Sequence, residues 1–278
     1  MFLGCGIYSL GKMGMKERPI LFSAPMVRAL LEGIKTQTRR VVKLPVDAKH
    51  TKYWAPPSGR SQPGYADPGV NYWTDRGNHL DRCPYGQPGD RLWVRETWRI
   101  GAWDEDYGKF AIDYVDGPRK DWLLPFVTAT EEPSEVFDRL WIDCCDELLS
   151  KYIQPENSGC YKWEPGESPL RWRPSIHMPR WVSRITLEIT GIRVEQLQTI
   201  CGDDAISEGI KIPGIDKAPL LRVSGKLPPS VIGKHPRDWT LDDYARFEYA
   251  ELWEQIKGPG SWAANPWVWV IEFKRVHS

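Results

Sequence analysis

Within the six residues Lys35-Thr36-Gln37-Thr38-Arg39-Arg40 the chain gathers an amine, two hydroxyls and two guanidiniums. A threonine hydroxyl is inert at its free pKa and becomes a nucleophile only when a base takes its proton. A lysine amine that is desolvated and flanked by arginines can be that base, because both influences disfavour its charged form. Arg40 or a backbone N–H could then hold a developing oxyanion. The same donors suit a second chemistry, in which Lys35, Thr36, Arg39 and Arg40 contact a ligand or a phosphate backbone while Thr38 reads a base edge. They also suit a plain solvated edge strand, where Lys and Arg discourage pairing with another chain.

The residues before the run read as a short helix. Ser23 is a good N-cap, Pro25 falls in the first turn where its missing N–H costs nothing, and Val27, Leu30 and Leu31 form an apolar stripe. Gly33 supplies the left-handed residue that ends it. The polar run therefore enters an extended segment continued by Val41 and Val42. In a regular strand Lys35 and Thr38 point to opposite faces, since their offset is odd, so joint action requires the chain to bend there.

Two further groups of residues carry chemistry. Glu96 shares a strand face with Leu92 and Val94, which predicts an inward carboxylate near a rim; pairing with Arg95 or Arg99 is the plainer alternative. Fifteen tryptophans, Trp98 among them, lie largely among Arg, Pro and Gly in segments of little periodicity. They can hold long loops against a core, or offer stacking surfaces for bases.

The elements that position these residues form separated islands. Residues 91–98 alternate as a strand opened by Gly89-Asp90, and 181–190 alternate with Trp181, Ser183, Ile185, Leu187 and Ile189 facing inward. A short helix spans 203–208 and ends at Gly209. Thr240-Leu241-Asp242-Asp243 is a capping box with Asp in the place of Glu, and it starts a longer helix with Ala245, Tyr249, Leu252, Trp253 and Ile256 on its buried stripe. Residues 267–273 are apolar on both faces and read as a central strand. Between the islands, 45–82, 101–173 and 211–238 look inserted; 132–149 is a helix-like run within the second. Residues 1–15 read as a disordered or upstream-start extension.

Composition bounds the reading. The chain has 278 residues, 41 % of them hydrophobic, enough for a sizeable core. Thirty-seven basic residues balance 37 acidic ones, so any nucleic-acid contact must use a local patch. No run is long and apolar enough for a membrane span, and the start makes a poor signal peptide. Six cysteines without a C-x-x-C pair, and scattered histidines, predict reduced thiols in a cytoplasm, no metal and no cofactor. The order of the islands favours an α+β fold, a small mixed β-barrel with flanking helices and long loop insertions.

Gly33-x-Lys35-x-x-Thr38-x-Arg40, Pro88-Gly89-Asp90 opening a strand, Ile189-Thr190-Gly191-Ile192, and the closing Trp269-Val270-Ile271-Glu272-Phe273-Lys274 together resemble an ASCH domain of the PUA-like superfamily. The matching islands cover roughly 16–44, 83–100 and 175–276, within a single domain expected over 16–276. The Lys-Thr-x-Thr-x-Arg form is similar to the small bacterial N4-acetylcytidine amidohydrolases, and the layout to phage and prophage ASCH proteins, whose place would be the host cytoplasm. The resemblance implies a PUA-like barrel whose mouth recognises a nucleobase, modified nucleoside or RNA. It also implies a Lys, Thr and Glu constellation hydrolysing the amide of an acylated cytidine. Lys35 and Thr38 match the first two; Glu208, in Ala205-Ile206-Ser207-Glu208-Gly209, is the carry-over for the third and rests on its place after the middle strands. A non-catalytic RNA or modified-base binder, or a phage accessory or assembly protein with a protein partner on its Trp-rich insertions, is the alternative.

Overall fold

In the computed structural model, residues 15–42, 72–74, 77–79, 83–117, 119–125, 133–157, 159–211 and 239–276 are described. The insertions expected over 45–82 and 211–238, and the extension over 1–15, lie almost wholly outside them.

The main sheet has five strands in the order β1-β5-β9-β10-β2. β1 (Glu17–Leu21) runs parallel to β5 (Arg91–Arg95), and β5 pairs antiparallel with β9 (Thr186–Gln196). β10 (Trp267–Val276) lies between β9 and β2 (Gln37–Val41), antiparallel to both. The terminal segment is apolar on both faces because it is central: Trp269, Ile271 and Phe273 enter a core with Phe22, Leu92, Val94, Leu187 and Ile189, while Val268 and Val270 enter another with Leu197, Ala205, Tyr249 and Trp253. Helix α1 (Ala24–Leu31) packs Val27 and Leu30 into the first core. Helices α3 (Gly202–Ser207) and α4 (Leu241–Lys257) pack into the second.

Among the described residues the sheet is not a closed barrel, since β1 and β2 are its two edges. Side chains span the gap instead. Arg40 on β2 donates from Nη2 to the carbonyl of Leu21 at the end of β1, at 2.7 Å.

The stretch 101–173, read from the sequence as loop with one helix, holds a second core. β6 (Trp98–Asp104), β7 (Lys109–Tyr114) and β8 (Lys120–Leu123) form a three-stranded antiparallel sheet. Helix α2 (Pro133–Ser150) contributes Phe137, Cys144 and Leu148 to a core with Trp98, Ile100, Phe110 and Ile112. Periodicity missed β7 because Phe110 to Tyr114 are all buried, and such a run does not alternate. A hairpin, β3 (Tyr72–Thr74) with β4 (Gly77–His79), completes the β-structure described.

Two boundaries differ from the sequence reading. The strand expected over 91–98 stops at Arg95, and the chain restarts at Trp98 in the other sheet, so Glu96 lies in the link between them. The strand expected over 181–190 begins at Thr186, after a single 3-10 turn at Arg180–Val182. The capping box forms as read: Thr240 Oγ1 accepts from the Asp243 N–H, and the Asp243 carboxylate accepts from the Thr240 N–H.

Candidate functional site

The end of α1 sets where Lys35 goes. Gly33 takes φ +76°, a conformation that favours glycine, and the N–H groups of Ile34 and Lys35 both donate to the carbonyl of Ala29. This wraps the chain back under the helix. Thr36 then donates its N–H to Ser207 O and accepts from Phe273 N, which threads it between α3 and β10 while its side chain stays exposed.

Regular alternation starts only at Gln37. Gln37 and Arg39 both reach Asp204 on α3, so they share the face of the sheet that α3 covers. Thr38 and Arg40 belong to the other face. Thr38 is in register with Ile271, and Arg40 places its guanidinium 5.2 Å from the centroid of the Phe22 ring. Lys35 precedes the strand and follows neither face: its Nζ is 5.5 Å from that same ring yet reaches the α3 terminus. Lys35 and the Thr38 face thus converge on Phe22. Among the described residues, no hydrogen bond joins the Thr38 hydroxyl to Lys35 or Glu208.

Glu208 is the C-cap of α3. Gly209 behind it takes φ +98°, and a Cβ there would lie 2.9 Å from Ala29 Cβ and 3.4 Å from Lys35 Cβ. Only glycine lets the turn approach α1 this closely. The approach brings Lys35 Nζ to 2.6 Å from Glu208 Oε2 and 2.7 Å from the Glu208 carbonyl, a contact between residues 173 apart in sequence. Both side chains are almost completely buried, at 1 % and 5 % exposure. Burial pushes the Lys35 ammonium below the usual lysine range, Glu208 opposes that shift, and the positive Arg40 and Arg39 add to it.

The other carboxylate oxygen of Glu208 has its own partners. Arg39 Nη1 donates to Oε1 at 3.4 Å, and the Tyr249 hydroxyl of α4 donates to it at 3.5 Å. Arg39 is buried and spends all its nitrogens inside the protein: Nε and Nη2 meet Glu195 Oε1 at 3.1 and 2.5 Å, and Nη2 meets Asp204 Oδ2 at 2.7 Å. Its three carboxylate neighbours raise its pKa above the ordinary arginine value against the cost of burial. Arg193 of β9 extends the network to Asp204 and Glu272. Burial, with Glu208 alongside, pushes the Tyr249 phenol well up, so it is a neutral donor near neutral pH.

The structure therefore brings Lys35, Glu208 and Arg39 into one buried cluster, with Thr38 on the neighbouring face. Arg39 has no nitrogen left for a phosphate. Glu96 and Trp98 sit elsewhere. Glu96 pairs with neither Arg95 nor Arg99; both its oxygens are held by Arg184, Oε1 by Nε at 2.9 Å and Oε2 by Nη2 at 2.7 Å, and Arg184 stacks 4.0 Å from the Tyr114 ring centroid. Burial still raises the Glu96 pKa, with Arg184 opposing. Trp98 is packed in the second core with Arg173 over its ring, so no face is offered to a base.

Sequence reasoning missed Asp204, Glu195 and Tyr249. A signal existed for the first, since Asp204 and Glu208 are four apart at a helix end and so share a face. Among the described residues no group of three or more His, Cys, Asp or Glu is disposed to hold a metal ion. No helix among them is long and apolar enough to cross a membrane.

Comparison of the chain with protein-family models, curated proteins and solved structures returns no match. The reading of function rests on the geometry and on the motif.

Proposed function

We propose that this chain recognises a nucleobase or modified nucleoside at the Lys35–Glu208 site and hydrolyses an acyl group from its exocyclic amine, with N4-acetylcytidine as the type substrate. The observation that carries the reading is the 2.6 Å contact of Lys35 with Glu208 in an almost dry place, beside the strand that bears Thr38. Such a pair can pass a proton at little reorganisation, because the lysine is already inclined to lose its charge.

In the proposed sequence Thr38 Oγ1 attacks the acyl carbon while its proton moves to the Lys35 amine. The carbonyl π pair goes to oxygen, giving a tetrahedral oxyanion. Its collapse breaks the C–N bond, and the proton on Lys35 passes to the leaving cytosine nitrogen, with Glu208 holding the ammonium in line. Water then attacks the acyl-threonine by the same base, releasing a carboxylic acid and restoring the hydroxyl. Arg40, anchored over Phe22, is the side chain on the Thr38 face with positive charge for the oxyanion.

The purified protein is incubated with N4-acetylcytidine and a panel of acylated nucleosides, and loss of the acyl group is followed by mass. Deacylation that disappears in Thr38→Ala and in Lys35→Ala supports the reading. Deacylation that survives in both, or is absent from the unaltered protein, refutes catalysis.

A non-catalytic partner protein is a second reading for the insertion. It is favoured by Trp122, Trp172 and Tyr107, which stand 47 %, 40 % and 69 % exposed there. The RNA-backbone reading of the Lys35–Arg40 run is disfavoured by the internal engagement of Arg39.

A further inference from the structure

We infer that Arg39 is a positioning residue for the Lys35–Glu208 pair, holding Glu208 by Oε1 so that Oε2 is presented to Lys35 Nζ. The inference rests on the site reading just given, and goes beyond it by assigning a role to a residue that the sequence alone assigned to ligand contact.

The geometry is specific about which oxygen does what. Oε2 is bonded to Lys35; Oε1 takes Arg39 from β2 and the Tyr249 hydroxyl from α4. Turning the carboxylate gives up both of these contacts, at 3.4 and 3.5 Å, together with the 2.6 Å bond to Lys35. Arg39 is itself held on several sides: Glu195 on β9 and Asp204 on α3 take its Nε and Nη2, and its guanidinium lies 5.9 Å from the Tyr249 ring centroid. The anchor therefore ties β2, β9, α3 and α4 to one carboxylate.

Arg39 also has an electrostatic consequence. The charged or titratable groups facing Glu208 are Lys35, Arg39 and Tyr249; those acting on Lys35 are Glu208, Arg40 and Arg39. A permanent positive charge beside the pair disfavours Lys35 as the cation. Arg39 thus lowers the pH at which Lys35 becomes a free base, while its contact with Oε1 leaves Oε2 turned toward Lys35. Removing its charge must move that pH upward, and more so because Glu195 and Asp204 then add uncompensated negative charge.

The test uses the full chain carrying 15N-labelled lysine, with the Lys35 amine assigned by Lys35→Met. Its NMR titration is followed in the unaltered protein and in Arg39→Gln, Arg39→Lys and Tyr249→Phe, with circular dichroism as the fold control. Arg39→Gln is expected to move the Lys35 midpoint up by about one pH unit, the scale of one neighbouring charge. Arg39→Lys keeps the charge and loses the fork, so the midpoint stays while solvent exchange of the Lys35 amine quickens several-fold. In Arg39→Lys, deacylation should fall between about ten- and a hundredfold in kcat at unchanged KM, the scale of a misplaced reacting group. Tyr249→Phe should quicken the exchange less. A folded Arg39→Gln with an unmoved midpoint overturns the inference. Should Arg39→Gln not fold, unchanged amine exchange in Arg39→Lys overturns it. If the unaltered protein deacylates nothing, the hydrolase reading fails while the titration and exchange still decide the role of Arg39.

Discussion

Replacing Glu208 by glutamine keeps the shape of the side chain and removes its charge, so it isolates what the carboxylate does for Lys35. In the folded protein the Lys35 side chain is 1 % exposed, and among the described residues its other acceptor is the Glu208 carbonyl at 2.7 Å. Arg39 stays nearby, balanced by Glu195 and Asp204, and repels it. The ammonium then has no counter-ion, and the cheaper outcome is that Lys35 folds as the neutral amine. Giving up a proton at pH 7 from a group that holds it to about pH 10.4 when unfolded costs about 1.4 kcal/mol per pH unit, or about 5 kcal/mol as a ceiling. Lys35 is already held below its ordinary range, so the unfolded state binds more protons than the folded one between the two values. Stability in that window rises with pH. Glu208→Gln widens the window downward. The loss of stability relative to the unaltered protein should therefore be largest near pH 7 and shrink toward pH 10, with a slope of up to about 1.4 kcal/mol per pH unit. Urea unfolding of both proteins at pH 7, 8 and 9 reads this directly. A difference that is the same at pH 7 and pH 9, or below about 1 kcal/mol throughout, would show that Lys35 does not depend on Glu208 for its charge.

The remaining predictions concern packing and the second buried pair. Gly209→Ala meets Ala29 Cβ at 2.9 Å in a left-handed backbone, which adds overpacking to conformational strain and should cost about 2–4 kcal/mol in urea unfolding. Adding Ala29→Gly should recover the overlap and leave the strain; no recovery in the double variant would exclude the contact as the cause. Arg184→Met should cost about 3–5 kcal/mol by stranding the buried Glu96, whereas Arg184→Met with Glu96→Leu should cost far less. Equal losses in the single and double variants would refute stranding as the reason.

Much of the frame is legible locally. Ser23, Pro25 and Gly33 delimit α1, Thr240 and Asp243 start α4, and the doubly apolar run 267–273 is an interior strand of the sheet. Each of these depends on neighbours within a turn or two, where propensity and periodicity act. The central strand of the second sheet is illegible because Phe110 to Tyr114 are buried throughout, so no alternation marks them. Glu96 misleads because the alternation of 91–98 continues through a break, and its partner Arg184 lies 88 residues on.

The site divides in the same way. The sequence by itself determined that a dense polar run follows a helix that must end at Gly33, and that Lys35 and Thr38 need a bend to act together. Only the tertiary structure decided what each member of the run meets. The pairing of β2 with β10 sets which face Arg39 takes, and the fit of Gly209 against Ala29 brings Glu208 across 173 residues to Lys35. That outcome turns Arg39 inward to three carboxylates and leaves Arg40 over Phe22. Strand alternation alone parts the adjacent Arg39 and Arg40, but what each face meets is decided by strand register and a close helix approach, properties of distant segments meeting that no local pattern encodes.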